Sequence, residues 1–428
     1  MMGPEQPVES GKLKVLSLAC SFPNPREEDF GIFVATRLKA IAGRIELRVV
    51  APVNPGRYWR RRSWSKRLPA IPRRRRQGEI QVYYPRWTGL PGGGVLNCGL
   101  LFARLAPMLA VLRRRWRFQL LDAQFGYLEA VVAALASALA GVPFTVTLRG
   151  SEAVHAQKPM RRRLMGWAWR RAARVVTVSA RLREFAISLG VDPMRVTVIP
   201  NGVDAGVFHP RDRSSCRARH GLGDPDRVIL TVGSLIPLKG HHLVVEALAG
   251  LRRRGHRATV WVVGRGGHGG SYEDHLRQTA ADVGVVEQVR FWGLVGQEEL
   301  AGLMSVADVL CLASSSEGWP NVVNEALSCG TPVVAHDVGA VPEMLPRPGL
   351  GIIVPPGDAA ALESALALAL ERDWNRDEIA AWGRARSWEQ VASDVETVWN
   401  EVVREHWRDP AASAAQPDRN PHRQRGVL

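Results

Sequence analysis

Acidic residues are in short supply in this 428-residue chain, where 41 Asp and Glu stand against 57 Lys and Arg for a formal net charge of +16. Such an excess favours anionic partners, namely phosphates, nucleic acid or an acidic membrane surface, but does not choose among them. Cysteine is scarce as well, since the five cysteines are odd in number, far apart and free of any Cys-x-x-Cys. This gives no indication of a disulfide framework or of a zinc site, and it favours a reducing, cytoplasmic setting.

The chain also lacks a clear membrane-targeting segment. The first fourteen residues hold no apolar run behind a basic start, so they do not resemble a signal peptide. Nineteen uncharged residues between Glu129 and Arg149 have the length of a membrane span, but Gly141-Val142-Pro143 divides them. We expect a buried helix that ends at the glycine, followed by a strand at 144–148.

Short β-branched runs alternate with helix-like stretches, a pattern typical of βαβ units and a parallel sheet. The pattern occurs twice, with strands predicted at 13–19, 45–51, 144–148, 174–179 and 195–200 and again at 227–233, 259–264, 289–293, 307–313 and 331–336. A polar stretch rich in helix breakers separates the two series at 209–226. We therefore predict two domains, at 12–205 and 224–387, then a helix at 388–405 and a disordered tail at 409–428.

The richest motif is SSSEGWPNVVNEALSCGTPVVA at residues 314–335. Pro320 suits the first position of a helix and Gly330 suits its end, so the helix N-terminus lies at the carboxyl edge of a parallel sheet. Ligands bind at that edge, and free N–H groups there attract phosphate. Glu317 precedes the helix and Glu325 lies about 7 Å further along its axis, so the two carboxylates can flank one ligand. For isolated Glu residues, a solvent-facing Glu325 and a Glu317 that stabilises the helix end is the simpler interpretation.

A second strand, loop and helix unit occurs at 227–248. Gly233 ends its strand, and Lys239 stands just before its helix, where a diphosphate could bind. Lysine is rare here, with six lysines against fifty-one arginines, which mildly favours a specific role for this one. On these residues alone, a solvated loop lysine is an equally good interpretation.

Four motifs in this order resemble retaining glycosyltransferase family 4. They are SFPNPREEDFGIFV at 21–34, IPNGVD with Phe208 at 199–208, GSLIPLKG at 233–240 and the motif at 314–335. The resemblance covers about residues 12–405 and implies an α/β protein of GT-B fold, with two facing Rossmann-like, doubly wound parallel-sheet domains. It further implies that the first domain binds the acceptor, that the second binds a nucleotide-sugar, and that the C-terminal helix crosses back onto the first domain.

The resemblance also implies site residues. Glu317, Lys239 and Arg149 would be catalytic, with Glu317 at the donor sugar and Lys239 at the diphosphate. Glu325 at the ribose would be joined in the donor site by Gly233, Ser234, Gly264, Arg265, Gly318, Trp319, Pro320, Asn321 and Val322. The acceptor side of the cleft would contain Gly31, Asn201, Gly202 and Glu152. The implied reaction is retaining transfer from a nucleotide-diphosphate-sugar to a glycan or lipid-linked acceptor in cell-surface polysaccharide synthesis, with no metal or other cofactor.

Two positions depart from the family pattern. The family commonly has Arg five places before Lys239, where Ser234 stands, and a lost charged hydrogen bond costs about 1.5–3 kcal/mol. We expect weaker phosphate binding or a contribution from Arg265. The common His-Gly-Ser-Asp is replaced by Arg149-Gly150-Ser151-Glu152, so a role that depends on histidine does not transfer, although a fixed cation near a phosphate is chemically reasonable.

Other motifs suggest competing interpretations. GRGGHG at 264–269 matches G-x-G-x-x-G, which makes an NAD-dependent oxidoreductase the alternative, although the motif follows the second strand of its domain instead of the first. A catalytically silent GT-B relative that only binds glycans is a third possibility. Asp224-Pro225-Asp226 is predicted to form a turn, and His241-His242 to face solvent at a helix N-terminus.

Residues 57–76 contain ten basic and no acidic side chains with aromatic rings between them. No nucleic-acid-binding module surrounds this segment, so we expect no nucleic-acid partner. Our hypothesis is peripheral attachment to the anionic inner face of the cytoplasmic membrane, and a solvated loop is the alternative. The membrane patch would consist of Trp59, Arg60, Arg61, Arg62, Trp64, Arg73, Arg74, Arg75 and Arg76.

Overall fold

Two α/β domains make up the chain, which a computed structural model describes over residues 11–55, 70–266 and 271–408. Within that part, the first sheet has the order β3-β4-β2-β1-β5-β6-β7-β8, with β3 antiparallel to β4 and the other neighbours parallel. Its strands are β1 Lys14–Leu18, β2 Glu46–Val50, β3 Arg74–Gln77, β4 Ile80–Tyr83, β5 Leu120–Ala123, β6 Phe144–Leu148, β7 Arg174–Thr177 and β8 Val196–Val198.

Helices cover both faces of the first sheet because neighbouring strand residues point to opposite faces. Val15 belongs to one core and Leu16 to the other. The helices are α1 Ile32–Ala42, α2 Leu96–Trp116, α3 Leu128–Ala140, α4 Ser151–Ala156, α5 Pro159–Trp169 and α6 Ala180–Ser188. Side chains of α2, α3 and α5 pack in one core, whereas α1 packs in the other.

The second sheet is parallel throughout its described strands, in the order β11-β10-β9-β12-β13-β14. The strands are β9 Arg227–Val232, β10 Ala258–Val263, β11 Val289–Gly293, β12 Val309–Leu312, β13 Val333–His336 and β14 Gly351–Val354. The helices are α7 Arg213–Arg219, α8 His241–Arg253, α9 Ser271–Asp282, α10 Gln297–Val306, α11 Asn321–Ser328, α12 Val341–Met344, α13 Ala359–Glu371 and α14 Arg376–Gly383. The strand order reverses between β9 and β12, and the carboxyl ends at such a point are where these sheets bind ligands.

The last helix, α15 Trp388–Arg408, returns to the first domain. Val391, Val395, Trp399 and Val402 share one helix face and are buried in the core that also contains α1. The indole N–H of Trp399 donates to Oγ1 of Thr145 on β6 at 3.2 Å. The arrangement confirms the predicted GT-B architecture with a crossover helix.

The predicted strands are present, with ends shifted by at most two residues. The uncharged stretch before Arg149 is helix α3 and strand β6, as predicted. One prediction is wrong: Arg74–Arg76 lie in edge strand β3 instead of a loop. Pro320 caps α11, which begins at Asn321. Residues 56–69, 267–270 and 409–428 lie outside the described part, and with them Trp59, Arg60, Arg61, Arg62, Trp64 and the predicted tail.

Candidate active site

A lysine–glutamate pair lies where the second sheet reverses its strand order. Lys239 follows β9, Glu317 follows β12, and Nζ of Lys239 donates to Oε1 of Glu317 at 2.6 Å. Gly240 makes the approach possible with φ +66°, since a Cβ there would lie 2.0 Å from the carbonyl oxygen of Ala313. The two motifs that the sequence singled out therefore meet at one edge of the sheet.

Helix α8 begins directly behind Lys239 with a buried histidine. His241 is 1% exposed, and its Nδ1 lies 2.9 Å from Oγ1 of Thr231 on β9. Burial lowers the pKa of His241 to about 4, so the ring is neutral at physiological pH. The neighbouring His242 is half-buried and contacts the hydroxyl of Tyr272 at 2.7 Å. The prediction that both rings face solvent is wrong, because α8 packs its first turn against the sheet and α9.

The loops after β9 and β10 touch through their backbones. A Cβ on Gly264 would lie 1.8 Å from the carbonyl oxygen of Gly233, so a side chain at 264 is excluded. Ser234 follows in the same loop. Both carboxylate oxygens of Asp29, in the first domain, accept from Nη2 of Arg265 at 3.0 Å, and both side chains are about half exposed. Arg265 thus links the domains, and its guanidinium is already engaged by a carboxylate.

The N-terminus of α11 contacts the first domain. A Cβ on Gly318 would lie 1.7 Å from the carbonyl oxygen of Arg149, and one on Gly150 would lie 2.4 Å from Cα of Gly318. Oδ1 of Asn321 accepts from Nδ2 of Asn201 at 2.9 Å. These contacts place the start of α11 directly opposite the carboxyl end of β6.

Side chains around the start of α11 differ in environment. Trp319 and Val322 pack against the second-domain core, and Nε1 of Trp319 has no hydrogen-bond partner in the described chain. Glu325 is half-buried one turn later, and burial raises its pKa to about 7. Its carboxyl group therefore changes charge near neutral pH.

Arg149 lies at the end of β6 with its guanidinium turned into the first domain. Nε donates to the carbonyl oxygen of Gln124 at 3.0 Å, Nη2 donates to Oε1 of the same residue, and the group lies 5.5 Å from the ring centre of Phe33. Burial, with a smaller contribution from the nearby Arg37, lowers the pKa of Arg149 to about 9. Within the described residues, Nη1 has no partner. Sequence reasoning missed Gln124, whose signal is a polar residue directly after the buried β5.

The predicted acceptor-side role of Glu152 is not supported by its contacts. Its fully buried carboxylate accepts from the backbone N–H groups of Gly126 at 2.9 Å, Arg149 at 3.1 Å and Gly150 at 2.6 Å. Glu152 thus shapes the loop after β6 instead of facing an acceptor, because three amides occupy its oxygens.

The two predicted cleft glycines are required by close backbone approaches. Gly31 caps α1 at φ +69°, and a Cβ there would lie 2.3 Å from the carbonyl oxygen of Ser21. On Gly202, a Cβ would lie 2.5 Å from the carbonyl carbon of Ser387, just before the crossover helix. Gly31 therefore folds the loop after β1 back on itself, and Gly202 lets the two interdomain connections pass each other.

Other predicted features have simple outcomes. Asp224 and Pro225 form a turn, as predicted. Arg73–Arg76 are exposed at the edge of the first sheet. The described part of the chain has no group of three or more His, Cys, Asp or Glu placed to hold a metal ion, and a metal-free reaction stays a prediction.

Comparisons with known proteins identify the family. Residues 212–386 match the family described as Glycosyl transferases group 1, and residues 34–202 match a Glycosyl transferase 4-like domain. The 2-deoxystreptamine glucosyltransferase of Streptomyces kanamyceticus is 31% identical over 350 residues, which are 73% of this chain and 88% of that protein. The chain belongs to the group 1 glycosyltransferases. This confirms the resemblance and the transferase class, and it does not support the oxidoreductase alternative drawn from Gly264.

Further similarities are more limited. The D-inositol 3-phosphate glycosyltransferase of Segniliparus rotundus is 33% identical over 218 residues, which are 50% of this glycosyltransferase and 48% of that one. The match thus spans about half the length of such relatives. Among solved structures, Anabaena HepE in complex with UDP has a TM-score of 0.71 at 20% identity, covering 91% of this chain and 100% of HepE. Sucrose-phosphate synthase of Thermosynechococcus elongatus has a TM-score of 0.73 at 18% identity, with coverage of 92% and 100%. Both share its GT-B fold.

Proposed function

We propose that this glycosyltransferase transfers a hexose from a nucleotide-diphosphate-sugar to a glycan or lipid-linked acceptor in cell-surface polysaccharide synthesis, with retained anomeric configuration. The observation that carries the proposal is the pairing of Lys239 with Glu317 at the reversal point of the second sheet. A cation, a carboxylate and the N-terminus of α11 converge there. This set can bind a diphosphate and a sugar side by side.

The diphosphate is the natural partner of Lys239 and the α11 amides. Free N–H groups at a helix start and an ammonium group both favour negative charge. When the donor binds, the ammonium of Lys239 pairs with the phosphates instead of with Glu317. The carboxylate of Glu317 then becomes free to accept hydrogen bonds from the sugar hydroxyls. Ser234 supplies no charge, so Lys239 carries most of the side-chain contribution to phosphate binding.

Transfer breaks the bond between the anomeric carbon and the donor phosphate oxygen and forms a bond from that carbon to the acceptor oxygen. The acceptor proton passes to the departing phosphate, so both events occur on one face of the sugar. Fixed charges that stabilise the leaving diphosphate supply most of the catalysis, and a strong side-chain base is not required. We infer that neither a metal nor another cofactor takes part, with Lys239 and the amides neutralising the phosphate charge.

UDP is the first nucleotide to test. HepE, which shares the fold, is described in complexes with UDP and UDP-glucose, and the Streptomyces kanamyceticus relative is named a glucosyltransferase. The names of the relatives also suggest a second acceptor class, since D-inositol 3-phosphate and 2-deoxystreptamine are small cyclic polyols. An acceptor panel therefore needs both lipid-linked glycans and cyclitols.

The donor site is tested by thermal unfolding with UDP, GDP, ADP, TDP and NAD. A ligand at about 100 times its dissociation constant stabilises by ~2.7 kcal/mol, and each kcal/mol moves the midpoint by about 2–4 °C for domains of this size. We expect UDP to stabilise the wild-type enzyme and the control Lys158→Ala, which removes an exposed lysine of the other domain, to the same extent, and to stabilise Lys239→Ala by about half as much or less. Stabilisation by NAD alone would overturn the assignment. Binding of UDP with an intact donor in every acceptor mixture would favour the catalytically silent relative.

We also propose that the enzyme works in the cytoplasm, peripherally on the inner face of the membrane. The five cysteines are unpaired and four of them are buried, which suits a reducing compartment. The exposed Arg73 and, on edge strand β3, the exposed Arg74–Arg76 would supply positive charge for anionic lipid headgroups.

A further inference from the structure

A fully buried carboxyl group lies in the interior of the first domain. It belongs to Asp122 on β5, which is 1% exposed. Its Oδ1 accepts a hydrogen bond from Oγ1 of Thr145 on β6 at 3.1 Å, and its Oδ2 accepts from Oγ of Ser17 on β1 at 2.9 Å. Nε2 of Gln124, directly after β5, also donates to Oδ2. Burying a carboxylate is costly, and these three donors offset part of that cost.

The hydrogen bonds around Asp122 all run towards its carboxyl group. Nε1 of Trp399 on the crossover helix donates to Oγ1 of Thr145 at 3.2 Å, so the hydroxyl proton of Thr145 is left for Asp122. Nε2 of Gln124 likewise donates to Oγ of Ser17 at 3.2 Å, which directs the hydroxyl proton of Ser17 to Asp122. Burial raises the pKa of Asp122, and these hydrogen bonds oppose the rise. A carboxyl group whose neighbours are donors is suited to the ionised form.

Gln124 connects this carboxylate to Arg149 at the end of β6. Its Nε2 donates to Asp122, while its Oε1 accepts from Nη2 of Arg149. An ionised carboxylate only accepts hydrogen bonds and a guanidinium only donates them, so one orientation of the Gln124 amide satisfies both neighbours. The backbone N–H of Gln124 donates to the carbonyl oxygen of Leu18 on β1 at 3.0 Å, which fixes the residue itself. Asp122 therefore determines which atom of Gln124 faces Arg149.

Asp122 also supplies negative charge to two buried arginines, Arg149 and Arg37 of α1. Burial lowers the pKa of Arg149 to about 9 and that of Arg37 to about 10, and Asp122 is the carboxylate that opposes this fall most in both. Both Nη atoms of Arg37 and Nη1 of Arg149 have no hydrogen-bond partner in the described chain. Without the carboxylate, the two guanidinium groups would repel each other in an interior of low dielectric constant.

The place of Arg149 explains why its direction matters. Its backbone carbonyl lies close to Gly318 at the start of α11, and its guanidinium lies 5.5 Å from the ring centre of Phe33 in the first turn of α1. An arginine side chain has several rotatable bonds, so it adopts one direction only where its surroundings impose it. A charged group that acts in catalysis needs a fixed position, because a small displacement lowers the rate.

We propose that Asp122 is a positioning residue for Arg149 and acts through Gln124. The carboxylate turns the amide so that its oxygen faces the guanidinium, which holds the charge of Arg149 in one place at the end of β6. Trp399 ties the crossover helix to the same carboxylate through Thr145. Asp122 itself is too deeply buried to contact a substrate. The proposal rests on the proposed function in that Arg149 acts during sugar transfer.

Crystal structures of Gln124→Met and Asp122→Asn test the position of the guanidinium. Methionine keeps the approximate length of glutamine but cannot accept from Nη2 in its place. Asparagine replaces one acceptor oxygen by a donor, so Gln124 should turn its oxygen to residue 122 and its N–H groups to Arg149. In both variants we expect the guanidinium to move by at least about 1 Å, enough to affect the rate. If Asp122→Asn does not fold, Gln124→Met decides.

Release of the nucleoside diphosphate from the donor that the binding panel selects, measured with the acceptor panel, tests the effect on the reaction. We expect kcat to fall about 10–100-fold in Gln124→Met and Asp122→Asn, while KM for the donor changes by less than about threefold. The reason for this split is that the donor is held by the second domain, through Lys239 and the α11 amides. A loss of folded enzyme would lower kcat without moving the guanidinium.

Two further variants separate positioning from a merely structural role. Thr177→Val removes another fully buried hydrogen bond of the first domain, from Oγ1 of Thr177 to the carbonyl oxygen of Ser179 at 3.1 Å. Its kcat should stay within about twofold of wild type. In an Arg149→Lys background, Gln124→Met should lower kcat further by less than about twofold, because the group that Gln124 holds is already gone.

Three results would overturn the proposal. The first is a guanidinium that keeps its place in Gln124→Met. The second is a loss of kcat in Gln124→Met that is equally large in the Arg149→Lys background. The third is a guanidinium that moves without any loss of kcat, which would remove Arg149 from the reaction. Failure of the proposed function is recognised separately, by a wild-type enzyme that no nucleoside diphosphate stabilises, and it leaves the crystallographic result unaffected.

Discussion

At the scale of single residues, the site combines a charged pair with groups whose protonation burial has shifted. Lys239 and Glu317 neutralise each other at 2.6 Å, while His241 behind them is held neutral, with a pKa near 4. The uncharged ring leaves Lys239 as the cation next to the α11 N-terminus on this side of the cleft. The ammonium of Lys239 and the N–H groups at the start of α11 are thus the groups that can meet a diphosphate once Lys239 leaves Glu317.

The raised pKa of Glu325 predicts how the affinity for the donor depends on pH. Its pKa is raised to about 7, so the carboxyl is mostly protonated at pH 6 and ionised at pH 8. An ionised carboxylate accepts hydrogen bonds from ribose hydroxyls more strongly than the acid does, so affinity for UDP-glucose should rise by about three- to tenfold from pH 6 to pH 8. Calorimetric titration measures this directly, because the diphosphate diester does not titrate in that range.

The matched variant for this prediction is Glu325→Gln, which keeps the shape and removes the titration. Its affinity for UDP-glucose should be nearly independent of pH between 6 and 8. The same pH slope in both proteins would assign the effect to another group and remove Glu325 from the ribose site.

Among the elements, most strands were predictable from their β-branched and apolar runs, whereas β3, β4, β5 and β14 were missed. Strands β1, β6 and β9 can be recognised by their composition, since β-branched and apolar side chains suit a buried parallel sheet. Strand β3, with the sequence RRRQ, shows no such signal. It is a strand because the turn with Gly78 at φ +58° pairs it with β4, at an edge where arginine side chains remain in water.

The site was predictable where a motif fixes the backbone and unpredictable where a loop decides the direction of a side chain. Lys239 and Glu317 each follow a strand of a parallel sheet, so their meeting follows from topology. Glu152 lies beside the cleft in sequence, but the turn after β6 leaves three amides without partners, and its carboxylate satisfies them. No sequence pattern shows where such a side chain turns.

The contact between the β6 end and the α11 start gives a prediction of its own. Gly318→Ala places a methyl group 1.7 Å from the carbonyl oxygen of Arg149, so the domains cannot meet at this point. We expect kcat to fall by at least about tenfold, as for other cleft closures, while UDP binding to the second domain persists. The control is Gly296→Ala in the same domain, where an added Cβ meets nothing within 4 Å. Full activity of Gly318→Ala would show that this contact is absent in the working enzyme.

At the scale of the whole molecule, the two domains meet through polar contacts and through the close backbone approach of Gly150 and Gly318. Besides the Arg265–Asp29 pair, Arg181 pairs with Asp337 at 2.9 Å, and the carboxylate of Glu343 accepts from the backbone N–H of Ala180 at 2.9 Å. Exposed pairs of this kind contribute about 0–1 kcal/mol each. These pairs therefore add little to the free energy that holds the cleft closed.

The crossover helix restricts how the two domains can move relative to each other. Helix α15 is packed into the first-domain core, and Gly202 lies against the segment that leads to it. Both connections between the domains thus pass at one place, which favours rotation about that point over separation. Residues 224–387 of the second domain hold 20 Asp and Glu against 14 Lys and Arg, so the positive charge of the enzyme is not in its second domain.

The central claim is retaining transfer from a nucleotide-sugar at the Lys239–Glu317 site. The most direct test is proton NMR of the first transferred sugar, measured with wild type, Lys239→Ala and Lys158→Ala on the donor that the binding panel selects. The account predicts a product with the anomeric configuration of the donor, and a rate about 10–100-fold lower for Lys239→Ala only, because a charged hydrogen bond of ~1.5–3 kcal/mol is lost. A product of inverted configuration, or a Lys239→Ala enzyme that works at the wild-type rate, would contradict it.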